Sequence, residues 1–193
     1  MIPLEYHPFE PYLPDNAKIL IMGTFPPKQE RWSMDFYYPN RINDFWRIMG
    51  IIFYGDKDYL YDSNTRTFRL PLIKELLNDK GVALNDTGHA VRRLKDNASD
   101  KYLEIVKPIP LMDILAKIPD CHTLATTGEK AGETLAEITG TTLPKIGESV
   151  TTTLSDRRQV SIYRMPSTSR AYPLAIEKKA AYYAEMLHQI GIF

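Results

Sequence analysis

Residues 23–49 read GTFPPKQERWSMDFYYPNRINDFWRIM and follow directly on the apolar run KILIMG of residues 18–23. Gly23 lets the backbone approach a ligand closely, while Pro26 and Pro27 stiffen the turn and remove two backbone donors. Behind the turn stand Tyr37, Tyr38, Asn43, Asp44, Phe45 and Trp46, rings that can stack and side chains that can hydrogen-bond. A second polar stretch, PSTSRAY at residues 166–172, places Ser167, Thr168 and Ser169 ahead of the last helical pattern. Hydroxyls and free backbone N–H groups at a helix start suit an anion such as phosphate. The turn is neither a dinucleotide nor a Walker loop, because GTFPPK lacks the repeated glycines and the Lys-Ser/Thr ending.

Each group also has an ordinary structural use. Asn43 can cap the helix that follows it. Phe45 and Trp46, with Ile48 and Met49, fit a helix packing its own core, PSTSR fits a turn and cap, and Asp86 fits a strand end. The four histidines, His7, His89, His122 and His188, show no metal-ligand spacing and read as structural or solvated, so neither metal nor cofactor is expected. Cys121 has no evident base and reads as buried.

The elements that must position these groups alternate in type. Short apolar runs at residues 18–23, 81–86, 122–128 and 159–166 predict four buried strands. Helical patterns lie between them at residues 70–77, 111–118 and 129–138. Ile176, Ala180, Tyr183, Leu187 and Ile190 trace the buried face of a last helix. Strand–helix–strand order implies parallel pairing, hence an α/β fold: a three-layer α/β/α sandwich around a central four-stranded parallel sheet. Ligands of such sheets bind beyond the carboxyl ends of the strands. That rim collects residues 23–43, 85–93, 126–130 and 166–172. Residues 54–67 read as a surface excursion, and Arg92, Arg93 and Lys95 as a solvated face near the rim.

With 193 residues and 44% hydrophobic content the chain suits one domain spanning residues 1–193. Twenty-four basic and 24 acidic residues cancel, so any anionic partner must be met by local patches. A lone cysteine, an N-terminus unlike a signal peptide and no long apolar run predict a cytoplasmic protein with no membrane partner.

Gly23-Thr24-Phe25-Pro26, the pair Tyr37-Tyr38 and Asn43-Asp44-Phe45-Trp46 resemble the first motif of the uracil-DNA glycosylase superfamily, and PSTSRAY resembles its second. The wording is most similar to the hypoxanthine (deoxyinosine) DNA glycosylase branch, and weaker similarity runs through GVALNDT (81–87) and TTGEKA (126–131). The resemblance implies a DNA repair enzyme that flips a deaminated base out of DNA and hydrolyses its glycosidic bond; a monomer is expected.

It also implies roles. Asn43 orients the attacking water through its carboxamide, since Phe25 stands where other branches place a water-activating Asp or Asn. Gly23, Thr24, Phe25 and Pro26 shape the base pocket and Tyr38 stacks on the flipped base. Asp86 falls at the base-reading position, with Asn85 the alternative, and burial against Tyr38 would let its carboxyl group serve as an acid toward a departing purine. Ser167, Thr168 and Ser169 meet phosphates, and Arg170 or Tyr172 fills the gap left by the base. Met165 stands where some branches carry histidine, and Pro27 where the family usually has Gly. Two other readings stay open: a hydrolase or transferase of free nucleosides or nucleotides, and a non-catalytic nucleic-acid-binding relative.

Overall fold

The computed structural model describes residues 1–95 and 99–193. A short strand β1 (Glu5–Tyr6) precedes β2 (Ile19–Gly23), and the aromatic segment leads into helix α1 (Phe45–Tyr54). The polar stretch expected as a surface excursion carries a ribbon, β3 (Tyr61–Asp62) with β4 (Thr67–Phe68). Next come α2 (Leu70–Lys80), whose Pro71 sits in the first turn where no donor is missed, and β5 (Val82–Asp86). A hairpin of β6 (Gly88–Arg93) and β7 (Leu103–Pro108) is followed by α3 (Leu111–Ala116) and β8 (Thr123–Thr127). The chain closes with α4 (Glu129–Thr139), β9 (Ser149–Thr153), β10 (Gln159–Met165) and α5 (Ile176–Gln189).

Strands β5, β2, β8 and β10 lie side by side, all parallel, as the apolar runs predict. A fifth strand departs from the four-stranded expectation: β9 pairs antiparallel with β10 at the sheet edge. Its sequence, SVTTT, alternates exposed and half-buried residues, so it offers no apolar run. The opposite edge is covered too. Tyr12 and Leu84 exchange backbone hydrogen bonds of 3.0 and 2.9 Å, laying the N-terminal segment along β5 and hiding its free edge.

Side chains of β2 alternate between two cores. Ile19 and Ile21 enter the layer built by α1, α2 and α5, whereas Leu20 and Met22 enter the layer built by α3 and α4. All four are fully buried, each side chain contributing about 1.5–3 kcal/mol by leaving water. Connections run over opposite faces: α1 and α2 link β2 to β5, while α4 leads from β8 toward β10. The winding direction therefore reverses between β2 and β8, and a doubly wound sheet opens its crevice at such a reversal. Here the crevice falls between Gly23 and Thr127.

A second, antiparallel sheet of β1, β6 and β7 was not foreseen, and its strand β6 takes up residues expected at the rim beyond β5. It also corrects the reading of Arg93 as solvated. The Arg93 side chain is 7% exposed, pairs with Glu5 at 3.0 Å and donates to the Pro26 carbonyl oxygen at 2.7 Å. Arg92 does face solvent, paired with Glu104.

Candidate active site

At the carboxyl end of β2 the backbone turns at Gly23, and three oxygen atoms converge there. A methyl group on Gly23 would lie 2.8 Å from Asp86 Oδ1, 3.3 Å from the Tyr38 hydroxyl and 3.4 Å from Thr127 Oγ1. Only glycine leaves these groups room. Tyr38 and Thr127 share a hydrogen bond of 3.1 Å across the crevice. The turn itself is pinned: Thr87 N–H donates to the Gly23 carbonyl oxygen at 2.8 Å and Gly88 N–H to that of Thr24 at 3.0 Å. Thr24 Oγ1 donates to Asp100 Oδ2 at 2.8 Å, linking the turn to the β6–β7 hairpin.

Asp86 has a partner that sequence reasoning passed over. Its Oδ2 lies 2.7 Å from His7 Nε2, with the two side chains 8% and 5% exposed. The imidazole sits among rings: Phe25 at 5.2 Å and Phe9 at 5.8 Å edge-on, and Tyr37 stacked at 5.7 Å. Its Nδ1 faces both the Phe9 N–H at 3.1 Å and the Phe9 carbonyl oxygen at 3.0 Å. Asp86 therefore meets an imidazole at Oδ2 as well as the Tyr38 side. Asn85 is turned inward, its Oδ1 accepting from the Tyr37 hydroxyl at 3.2 Å and from the Asp86 N–H at 2.9 Å.

The rings form a connected wall. Tyr38 stacks on Phe45 with centroids 3.9 Å apart and planes 14° apart, and Phe45 meets Trp46 edge-on at 4.8 Å. Trp46 Nε1 donates to the Tyr37 carbonyl oxygen at 2.9 Å, so the indole fixes the tyrosine pair as well as filling the core. Tyr38 holds a left-handed backbone, φ 53°, a conformation costly for a bulky side chain and kept only where its surroundings impose it. Burial first, then the Asp86 charge, pushes both the Tyr37 and the Tyr38 phenols far above their ordinary range. Both stay protonated and remain donors. Asp100 is also pushed up, by burial and then by Asp86, with the Thr24 hydroxyl, Lys130 and Arg93 pulling the other way.

The first and second polar stretches meet. Asp44 N–H donates to the Thr168 carbonyl oxygen at 2.8 Å, and Asn43 forms a bridge with Ser169. Asp44 then anchors the second stretch by charge. Its Oδ1 takes the Arg170 guanidinium at 3.2 Å and its Oδ2 takes Lys179 Nζ at 3.2 Å; Lys179, 1% exposed, also donates to the Ser169 carbonyl oxygen at 2.8 Å. Gly128, at φ 105°, brings the end of β8 against Ser167, whose Cβ would lie 3.5 Å from an added methyl.

Two expectations for this stretch need revision. The hydroxyl run does not cap the last helix, because α5 begins at Ile176 with Ala175 before it. Ser167 Oγ instead accepts from Ser169 N–H and Ser169 Oγ from Ala171 N–H, local turns that shape the loop. Arg170 is held on Asp44 rather than free, although half its side chain is exposed, and Tyr172 lies over Lys179 at 5.9 Å. Thr168 is buried. Asn43 Oδ1 accepts from Phe45 N–H at 2.9 Å, a local turn just ahead of α1; the N-cap position itself is Asp44, which makes no side-chain cap bond, so the capping expected of Asn43 is replaced by this turn.

Of the residues named from sequence, Gly23, Thr24, Tyr38, Asn85 and Asp86 gather around the crevice. Phe25 and Pro26 continue its wall through His7 and Arg93, and Asn43 joins the loop of residues 167–172. Thr127, His7, Asp44, Lys179 and Asp100 were not foreseen as site residues. Asp44 and Thr127 lay inside segments already under suspicion; the others are distant in sequence and carry no local signal. Among the described residues no cluster of His, Cys, Asp or Glu could hold a metal ion.

The central, mostly parallel sheet flanked by helices is an α/β fold also found in a solved structure. The solution NMR structure of a "putative Uracil DNA glycosylase" from Methanosarcina acetivorans superposes with a TM-score of 0.64 over 97% of this chain and 98% of that one, at 20% sequence identity. At that identity the likeness is one of fold. No family model and no curated protein matches the sequence.

Proposed function

We propose that the protein is a monofunctional DNA N-glycosylase that flips a deaminated base out of DNA and hydrolyses its bond to the sugar. One observation carries the reading. The two stretches that resemble the glycosylase motifs are joined backbone to backbone, across 124 positions of the chain, by Asp44 N–H and the Thr168 carbonyl oxygen at 2.8 Å. They lie near the strand ends where Asp86 and Tyr38 close in on Gly23, which supports the reading. The shared fold with a protein bearing a uracil DNA glycosylase name agrees with it.

In this reading Asn43 orients the water toward the sugar C1′. Its Oδ1 already accepts from Phe45 N–H, and a carbonyl oxygen has a second lone pair to offer. Tyr38, fixed on Phe45, supplies the ring against which the flipped base lies. That contact offsets the few kcal/mol lost on unstacking. The loop of residues 167–172 meets the phosphates. Glycosidic cleavage builds positive charge on the sugar and negative charge on the base, so placement and electrostatic complementarity matter more than a strong base. Hypoxanthine ranks ahead of uracil because a buried Met165 stands where an imidazole would steady a departing uracil anion.

The test is an excision panel of oligonucleotides carrying uracil, hypoxanthine, xanthine or a thymine mismatch, with alkali to reveal abasic sites. Alkali-dependent cleavage, strongest for hypoxanthine, is expected. Intact oligonucleotides with turnover of free nucleosides alone would overturn the reading.

A further inference from the structure

Resting on the glycosylase reading, we propose that the hairpin of β6 and β7, with Tyr6 of β1 beside it, is a track for unpaired DNA: its lysines take phosphates and its tyrosines take bases of the strand that leads away from the crevice.

The hairpin stands at the edge of the candidate site. At its base Gly88 N–H donates to the Thr24 carbonyl oxygen at 3.0 Å; toward its far end Arg93 donates to the Pro26 carbonyl oxygen at 2.7 Å and Asp100 accepts from the Thr24 hydroxyl at 2.8 Å. DNA with a base at Gly23 therefore has the hairpin as its neighbour.

Charge is uneven here although the whole chain is neutral: residues 88–108 carry five basic side chains and three acidic ones. Pairings within the fold use up acid. Arg92 takes Glu104 at 3.3 Å, Arg93 takes Glu5 of β1 at 3.0 Å, and Asp100 is turned toward Thr24. Lys95, Lys101 and Lys107 are exposed and, among the described residues, pair with no carboxylate. A phosphate can meet each of them without first breaking an ion pair.

Rings stand beside those lysines. Tyr6, Ala90 and Lys107 share one row of the sheet; Tyr6 is 55% exposed, and the Lys107 ammonium lies 3.4 Å from its hydroxyl and 5.4 Å from its ring centre. Beyond β6 the ladder continues with Leu94 N–H donating to the Tyr102 carbonyl oxygen at 2.8 Å, and the Tyr102 ring has Lys95 at 4.5 Å and Lys101 at 5.9 Å. Each ring thus comes with a cation. An ammonium resting on a ring at the surface is held weakly and sits on a long stem, so a phosphate draws it away and uncovers the ring for a base. Grooves that bind single strands combine these two features, cations along the backbone and aromatic faces for stacking. In a duplex the base faces are already covered by their neighbours, which leaves only the lysines in use.

The test needs no damaged base. A labelled oligothymidine, and a duplex of undamaged mixed sequence, are titrated by fluorescence anisotropy over a range of salt against the wild type and three variants: Lys95→Gln/Lys101→Gln/Lys107→Gln, the same lysines changed to Arg, and Tyr6→Leu/Tyr102→Leu. The glutamine variant should weaken oligothymidine binding and lower the salt slope by about 2, about 0.7 for each lost phosphate contact, while the arginine variant keeps both. The tyrosine variant should bind oligothymidine about 10-fold more weakly at an unchanged slope, and the duplex as the wild type does. Tyr6→Leu alone, at an exposed ring, should give part of that loss without disturbing the fold. Oligothymidine affinity that none of these variants alters overturns the inference even if deaminated bases are excised. A glutamine effect without a tyrosine effect marks a general cationic patch and also overturns it. Binding that follows both sets of variants while no oligonucleotide ever loses a base supports the track and overturns the glycosylase reading instead.

Discussion

Asp44 N–H donates to the carbonyl oxygen of Thr168 across 2.8 Å, and the same aspartate's carboxylate holds Arg170 and Lys179. One residue at the start of α1 thus fixes the loop that follows β10. The relative placement of water, base and phosphate in the proposed reaction depends on that joint.

Asn43 serves both as the turn residue that takes Phe45 N–H and as the proposed water-orienting group, and two variants separate the roles. Asn43→Ala should lose about 100-fold or more in turnover and about 1 kcal/mol in stability, the usual net cost of one lost hydrogen bond. Asn43→Ser keeps an oxygen for the Phe45 N–H and should recover the stability without the turnover. Single-turnover excision and thermal melts check both, and near-wild-type excision by either variant removes Asn43 from the mechanism.

Arg170 is half exposed on a loop proposed to meet phosphates. Ser167→Ala combined with Arg170→Ala should weaken DNA binding equally across sequences and lower the salt slope by about one. Identical salt titrations for variant and wild type would confine the loop to a structural role.

Lys179 is a buried cation whose charge partner is Asp44. Breaking such a pair from one side costs about 3–5 kcal/mol, because a charge is left buried. Arg170 still neutralises Asp44 in Lys179→Met, so that variant should fall at the lower end, and Asp44→Asn, which strands a buried lysine, at the upper. The double variant should be less destabilised than the sum, as read from urea unfolding.

Asp100 titrates with a sign that can be worked out. Its folded-state carboxyl is raised above 3.8, chiefly by burial. The protonated group therefore favours the folded state below that value, and the benefit is lost as pH rises through the raised one. At pH 7 the ionised carboxylate is a net cost. Asp100→Asn keeps an oxygen for the Thr24 hydroxyl and should melt higher than wild type at pH 7, with the gap closing as pH falls toward 4. A constant gap over that range would show that the carboxyl group's ionisation does not contribute.

Much of the architecture is written locally. Continuous apolar runs mark β2, β5, β8 and β10 because a strand buried on both faces has no polar side to show. Helical spacing marks α5 because one face alone meets the core. The rim was legible as well: in a parallel sheet, strand ends fix where a ligand can lie, so residues 23–43 and 85–93 could be singled out from the strands, whereas Tyr38 and Asp86 could be named only through the family resemblance. Strand β9 was hidden because an edge strand of serine and threonine resembles a loop. The rest was decided by pairings that no local pattern encodes. His7 joins Asp86 across 79 positions and Asp44 joins Lys179 across 135. A hydrogen bond or ion pair forms wherever the folded chain brings two groups within about 3 Å, so its members need no shared motif or spacing. The sequence by itself determined the four parallel strands, the helices packed on them and the rim; tertiary structure alone decided the edge strand and which side chains face one another across the rim.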